Sequence, residues 1–416
     1  MEERLKFCMI TTFYPPYHFG GDAMYVYRLT NELARRGHKV DVIHCKDAYM
    51  LLRTDDSLGE FPNHDNVSVY PLKSWAGALS PLLTQQTGVP FLKRGAIKSL
   101  LKVQGYDVIH YHNMSLVGIT ALGYGKAVKL YTTHEHWLVC PMHVLWKFNR
   151  GVCTTQSCTL CQIRGGRPPQ LWRHTNLLPK MLRHVDCFIS PSRFTLKKQI
   201  ELGLHVPIVH IPYFLPKRTA PVTSSPHGNS PYNSRRYFLF VGRLEKIKGV
   251  QNLIPIFRKR NEYDLLIAGN GEYESTLRTL SQGASNILFL GKLNQQKLAE
   301  LYAGAIAVIV PSICYETFGI IIIEAFSLGT PVIVNNLGAL PEVVEESGGG
   351  IVYKTNEDLV QALDTLAQSP ALRNKLGTKG HSAYLSLWTE DAHMAQYLKL
   401  VSGLRQQHSK TQISSC

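Results

Sequence analysis

The sequence predicts an α/β protein built from two Rossmann-like, doubly wound domains, each organised on a parallel sheet. Three observations carry this. Short apolar runs of strand length alternate with helical periods along nearly the whole chain. Polar residues gather where those runs end, which is where open α/β sheets bind ligands. The stretch PKRTAPVTSSPHGNSPYNSRR at 216–236 is rich in Pro, Ser, Asn and Gly, nearly devoid of apolar residues, and reads as a linker.

The first domain, residues 1–215, opens with LKFCMITTFYPPYHFGGDAMYVYRLTNELARRGHKVDVIHC: a strand, an aromatic-proline loop, a helix, and a strand from Lys39. Met24, Tyr27, Leu29, Leu33 and Ala34 lie near helical spacing, and Gly37 suits the helix stop. Gly20-Gly21 before the helix is either a phosphate- or sugar-binding turn or simply a tight turn. Residues 46–90 read as long loops around one strand at Val67–Pro71. FLKRGAIKSLLKV at 91–103 reads as a basic amphipathic helix, with Leu92, Ile97, Leu100 and Leu101 against Lys93, Arg94, Lys98 and Lys102. Such a helix either packs with one face solvated or touches an anionic membrane peripherally. Two strands then end in His110-Tyr111-His112-Asn113 and His134-Glu135-His136, and His134 leads the site candidates. A helix near Pro179–Val185 and a strand at Asp186–Ser190 follow.

The loop at 140–161 carries Cys140, Cys153, Cys158 and Cys161 and ends in CxxC. Four thiolates complete a tetrahedral structural zinc with no open position for water. A redox pair at Cys158/Cys161, an iron–sulfur cluster and uncoordinated thiols are the rival readings.

The second domain, residues 237–385, begins with YFLFVGRLEKIKG, a strand running into Gly242-Arg243 with a helix from about Gly249. Further strands are expected at 264–268, 287–290, 307–310 and 332–334. Arg243 and Lys248, five residues apart at a strand end, suit a diphosphate, or are surface charge beside Glu245. IAVIVPSICYETFGIIIIEAFSLGTPVIVNN at 306–336 reads as strand, loop with Glu316, helix opening near Gly319 and carrying Glu324, then strand. Among four isoleucines, the Glu324 carboxylate is expected to be desolvated and to need partners, either ligand hydroxyls or a local cation. Thr317-Phe318-Gly319 offers backbone N–H groups to an anion. Residues 386–416 close the chain with a helix expected over Trp388–Leu404.

The chain of 416 residues is 44% hydrophobic and 18% charged, which fits folded, soluble domains. It holds no run of eighteen apolar residues, so no membrane-spanning helix is expected. The N-terminus reads as a strand and not a signal peptide, and the scattered Cys8, Cys45, Cys187, Cys314 and Cys416 as reduced thiols. A cytoplasmic protein, working in part at the inner face of the membrane, is expected. Residues 1–234 hold 27 Lys and Arg against 14 Asp and Glu, net +13, while residues 235–416 hold 18 against 16, net +2. The basic half points to phosphorylated or lipid-linked substrates, an anionic membrane or nucleic acid.

Taken together, Gly20-Gly21, DVIHYHN, TTHEHW, GRLEKIKG at 242–249, AGNG at 268–271, PSICYETFGIIIIEA at 311–325, GTPVIV at 329–334 and GALPEVV at 338–344 resemble one family over nearly the full length. That family is the GT-B-fold retaining glycosyltransferases of family four, the glycosyl transferases of group 1. The resemblance implies two domains facing across a cleft, a UDP-, GDP- or ADP-sugar donor, and no catalytic metal. It implies that Arg243 and Lys248 hold the donor diphosphate, that Glu316 meets hydroxyls of the transferred sugar, and that Glu324 accepts from the ribose. The backbone of Gly20, Gly21, Gly242 and Thr317–Gly319 would line the donor. Asn270, where the family often has Asp, and Leu290 would lie near the base, and His134 near the reacting sugar. The last helix would cross back to the first domain. A glycan, lipid-linked or small acceptor is implied, and nucleic acid is not expected. A nucleotide-sugar 2-epimerase of the same fold is one alternative. A metal-stapled nucleic-acid-binding protein is another, although it leaves the paired charges of the second domain without a use.

Overall fold

The computed structural model describes residues 3–52, 59–217 and 235–414, and side chains as far as residue 410. Of the linker expected at 216–236, residues 218–234 lie outside the described residues, as does Cys416. The chain forms two compact units: Met1–His143, Thr155–Ile211 and Met394–Cys416, and separately Val144–Thr154 with Pro212–His393.

The first unit carries β1 (Lys6–Thr11), α1 (Gly21–Arg35), β2 (Lys39–Cys45), α2 (Lys46–Leu52), β3 (Val67–Leu72), α3 (Leu79–Thr87), α4 (Arg94–Gln104), β4 (Val108–Tyr111) and β5 (Val128–Thr132). A short antiparallel ribbon, β6 (Trp146–Lys147) with β7 (Gly151–Val152), belongs to the second unit. The first unit resumes with α5 (Cys158–Arg164), α6 (Leu177–Leu182), β8 (Cys187–Ser190), α7 (Arg193–Glu201) and β9 (Ile208–His210). Its seven parallel strands lie in the order β3-β2-β1-β4-β5-β8-β9, so the direction of winding reverses between β1 and β4. Strands covered on both faces read as nearly continuous apolar runs, and β1, β4 and β5 are buried almost throughout.

The second unit continues with β10 (Tyr237–Val241), α8 (Ile254–Phe257), β11 (Asp264–Ala268), α9 (Glu274–Leu280), β12 (Ile287–Gly291), α10 (Gln295–Gly304), β13 (Val308–Val310), α11 (Ile320–Phe326), β14 (Val332–Asn335), α12 (Leu340–Ser347), β15 (Gly350–Tyr353), α13 (Asn356–Gln368) and α14 (Pro370–Leu387). Its parallel strands follow β12-β11-β10-β13-β14-β15 and reverse between β10 and β13. Both sheets therefore possess the switch point at which doubly wound folds open a ligand crevice beyond the carboxyl ends of the strands.

The final helix, α15 (Glu390–Ser414), starts in the second unit, and its residues from Met394 belong to the first. Within the first unit it is fixed by Tyr397 OH against His110 Nδ1 at 2.9 Å and by His408 against Asp186 at 2.8 Å. Arg405 adds a pair with Glu3.

Several expectations need correction. Residues 46–90 hold two helices, α2 and α3, where long loops were expected. The helix expected from Gly249 is replaced by two 3-10 turns and the four-residue α8: Gly249 is left-handed at φ +77°, and Pro255 interrupts the run. In α1 the buried stripe is Tyr25, Val26, Leu29 and Leu33, with Met24 and Tyr27 only half-buried. Trp388 ends α14, stacked on Phe326 at 6.0 Å, so the last helix starts two residues beyond it and reaches past Leu404. β9 and β15 are short, half-buried edge strands whose patterns were too weak to read.

Candidate active site

In the second unit, four loops at the carboxyl ends of the strands are locked together by backbone hydrogen bonds. After β10, Leu244 N donates to Asn270 O at 2.9 Å, and Ile313 N, after β13, donates to Ile247 O at 2.9 Å. Ala339 N, after β14, donates to Glu316 O at 3.0 Å, and Asn335 Nδ2 donates to Ser312 O at 2.9 Å. Two glycines permit this approach. A Cβ on Gly249 would lie 1.9 Å from Pro311 O, and one on Gly338 would lie 2.7 Å from Glu316 N; both residues have positive φ.

This framework brings Lys248 and Glu316 together at the β10/β13 switch point. Lys248 Nζ lies 2.7 Å from Glu316 Oε1, and Ser312 Oγ donates to the same oxygen at 2.6 Å. Burial works against the charge on Lys248, yet the Glu316 carboxylate outweighs it and holds the ammonium above its usual range. The two side chains remain 26% and 20% exposed, so a solute reaches them. Beneath them burial pushes the Cys314 thiol up to about 12, which leaves it protonated. Arg243 stands at the same strand end but is 60% exposed and pairs with Glu245 at 2.6 Å. Both cations assigned to a diphosphate thus hold carboxylates here.

Glu324 is half-buried, and its carboxylate has a buried polar neighbour: Tyr302 OH donates to it at 2.9 Å. On a seven-residue helix the flanking Ile322, Ile323 and Ala325 take the core side, and the glutamate is left at the rim. Gly319 caps that helix in the left-handed region at φ +95°. Phe318 is buried in a T-shaped contact with Tyr213 at 5.3 Å, so only backbone of the Thr317–Gly319 stretch is on offer. Asn270 is exposed, and Leu290 is half-buried on the edge strand β12.

The first unit has its own polar cluster at the β1/β4 switch point. His112 Nδ1 lies 2.9 Å from His134 Nε2, and the His110 and His112 rings are 4.0 Å apart. His110 Nε2 meets Thr132 Oγ1 at 2.8 Å, and Tyr25 sits edge-on to His134 at 5.2 Å. Asp22, in the first turn of α1 just after Gly20-Gly21, bonds Ala23 N at 2.8 Å and accepts from Asn113 Nδ2 at 3.3 Å. Burial pushes His134 down to about 4, against the opposing pull of Asp22. His112 falls well below 6.5 through burial and its two histidine neighbours. Both imidazoles are therefore neutral near pH 7, the state in which a ring nitrogen can accept a hydroxyl proton. Asp22 and Tyr25 were not singled out from the sequence; the acid directly after the glycine pair was the available signal.

These histidines make acid stability a measurable consequence. His134, His44 and His393 each titrate at about 4 in the fold, in every case chiefly because of burial. An unfolded chain takes up the same protons near 6.5, so the stabilisation is complete above that pH and is lost as pH falls from 6.5 toward 4. Each group contributes a slope of up to about 1.4 kcal/mol per pH unit. The urea midpoint is expected to fall steeply between about pH 7 and about pH 5, and a flat midpoint there contradicts neutral burial.

Among the described residues no group of three or more His, Cys, Asp or Glu side chains is arranged to hold a metal ion. The structure thus lends no support to zinc at Cys140, Cys153, Cys158 and Cys161. Flanking the cysteine segment, Arg173 lies 4.9 Å from the rings of both Trp137 and Trp172 and donates to Trp137 O at 2.8 Å.

Two family descriptions match the chain: Glycosyltransferase Family 4 over residues 19–216 and Glycosyl transferases group 1 over residues 224–383. An uncharacterized glycosyltransferase of Methanocaldococcus jannaschii is 27% identical over 387 residues, 86% of this chain and 87% of that one. The O-antigen chain mannosyltransferase C of Escherichia coli is 23% identical over 96% of this chain and 98% of its own. Among solved structures, sucrose-phosphate synthase from Thermosynechococcus elongatus superposes with a TM-score of 0.71 at 22% identity, over 96% of this chain and 99% of that one. HepE of Anabaena, in complex with UDP and glucose, superposes with a TM-score of 0.66 at 17% identity, over 99% and 100%. The structural likeness shows the fold, which is GT-B with two Rossmann-like α/β domains.

Proposed function

From its membership of the group 1 glycosyl transferases, which makes this chain a glycosyltransferase, we propose that it moves a hexosyl group from a nucleotide-diphosphate donor to a hydroxyl of a glycan or lipid-linked acceptor. We further propose that it does so with retention and without a catalytic metal. The observation that carries this reading is the Lys248–Glu316–Ser312 cluster at the β10/β13 switch point. The HepE complex with UDP and glucose supports a nucleotide-sugar donor, and the O-antigen mannosyltransferase supports a glycan acceptor. No described helix is long and apolar enough to cross a membrane. The proposed place of work is the cytoplasm and the inner face of its membrane.

Transfer builds negative charge on the departing diphosphate and positive charge at the anomeric carbon. Lys248 and Arg243 answer the first. Donor phosphate takes the place of Glu316 and Glu245 as their partner, and Glu316 then accepts from hydroxyls of the transferring sugar. Glu324, held at the rim by Tyr302, accepts from the ribose hydroxyls. In the first domain, neutral His134 is assigned as an acceptor of a hydroxyl proton in a hydrogen bond. The departing phosphate itself receives the acceptor proton, so no protein nucleophile is required.

The test is transfer assayed in EDTA, with the anomeric configuration of the product read by proton NMR. Undiminished turnover and a retained configuration are expected. Inversion, or activity lost in EDTA and restored by a divalent ion, overturns the retaining, metal-independent assignment. A second expectation separates the roles of the two carboxylates. Ribose keeps its charge through the reaction, so Glu324→Gln should raise the donor KM about tenfold with kcat nearly unchanged. A fall in kcat at constant KM would remove Glu324 from the ribose.

A further inference from the structure

Helix α3 is turned inside out. On a helix packed against a domain the apolar stripe ordinarily faces the core. Here the buried residues are Ser80, Pro81 and Thr84, while Leu79, Leu82 and Leu83 are 63%, 42% and 49% exposed. Positions 79, 82 and 83 fall on one helical face, so the leucines form a single outward stripe.

The inversion is fixed from below. Lys93 Nζ, fully buried, pairs with Asp47 at 2.9 Å and donates to Ser80 Oγ at 2.8 Å. Asp47 also accepts from Ser74 N and Ser74 Oγ, each at 2.9 Å. Trp172 Nε1 donates to Gln85 O at 3.0 Å, anchoring the far end of the helix. A buried ion pair demands polar neighbours, so the serine face of α3 must point inward and the leucine face is left in water.

Further exposed apolar and basic residues flank α3 in the chain. Trp75 is 91% exposed and Phe91 59% exposed, on the segments entering and leaving α3. On α4, Arg94, Lys98 and Lys102 recur every four residues and are all exposed, giving a basic stripe that begins next to Lys93, the residue bonded to Ser80 of α3. Between Asp65 and Asp107 the chain has five Lys and Arg and no acid.

We propose that this surface, the leucine face of α3 with Trp75, Phe91 and the basic face of α4, docks on an anionic phospholipid bilayer. Tryptophan and leucine enter the headgroup boundary while arginine and lysine meet lipid phosphates, and the all-basic surround disfavours a second copy of the same chain. The proposal rests on the lipid-linked reading of the acceptor for its purpose: docking brings the first domain to the layer where such an acceptor lies.

The test is cosedimentation of the full chain with vesicles of phosphatidylcholine, or of equimolar phosphatidylcholine and phosphatidylglycerol. Binding to the anionic vesicles only, weakened by salt, is expected. Trp75→Ser with Leu82→Gln and Leu83→Gln should lower that binding about tenfold, and Arg94→Gln with Lys98→Gln and Lys102→Gln should do the same. Each variant is first shown to melt as the wild type does, since all six side chains are exposed. The proposal is overturned if the wild type ignores the anionic vesicles, binds neutral ones equally, or keeps its binding in the apolar variant. Capture of an acidic protein in place of vesicles overturns it too. Donor binding is measured on the same samples by thermal shift. Unchanged donor binding without vesicle binding removes the docking surface and leaves the transferase reading intact, whereas loss of donor binding by the wild type strikes the latter.

Discussion

Lys248→Ala should lower kcat by about 10²–10³-fold, the loss typical when one fixed donor to a developing negative charge is removed. The reason lies in its position. Lys248 leaves the loop after β10, faces Glu316 across the switch point, and keeps its proton against burial because of that carboxylate. A cation held in place before the donor arrives needs no reorganisation as charge builds on the leaving phosphate. Stability should change little, because the pair is partly exposed and Glu316 retains Ser312 as a donor. Arg243→Ala should cost less, since that side chain is 60% exposed and tethered to Glu245. Steady-state kinetics on the two variants decide the matter: wild-type kcat in Lys248→Ala would place the diphosphate elsewhere.

Gly249→Ala should cost about 2–4 kcal/mol and most of the activity as well. Gly249 is left-handed at φ +77°, and a Cβ there would lie 1.9 Å from a backbone oxygen, Pro311 O, which cannot rotate away as a side chain can. Relief requires the loop carrying Lys248 to separate from the loop carrying Glu316. Gly283→Ala supplies the control: its φ is +79° but nothing lies within 4 Å, so it should show only the backbone penalty of about 1 kcal/mol. Urea unfolding of the two variants measures the difference, and equal losses would mean that the two loops are not in close register.

Most strands could be read because a parallel sheet covered on both faces writes itself as uninterrupted Val, Ile and Leu, as in β13 and β14. Helix α3 was missed, since residues 46–90 read as long loops, and its Leu79, Leu82 and Leu83 face outward. Their orientation is decided by Lys93 and Asp47, forty-six residues apart in sequence, and no local pattern carries that pairing. The site was partly legible for a similar reason. Lys248 and Glu316 stand out singly at strand ends, but their bond joins loops that follow different strands. The tyrosine partner of Glu324 could not be read from its isoleucine neighbours, because Tyr302 lies on a different helix, α10. Asp22 was hidden by an ordinary role, since an acid in the first turn of a helix needs no other explanation.

The central claim is that the second domain holds a nucleotide-diphosphate sugar between Lys248, Glu316 and Glu324. Calorimetric titration of UDP-, GDP- and ADP-sugars into the wild type and into Lys248→Ala, Glu316→Gln and Glu324→Gln tests it most directly. One donor class should bind the wild type in one-to-one ratio, with affinity reduced in Lys248→Ala and Glu324→Gln while each variant still melts close to the wild type. A donor that binds all three variants as tightly as it binds the wild type would contradict the assignment.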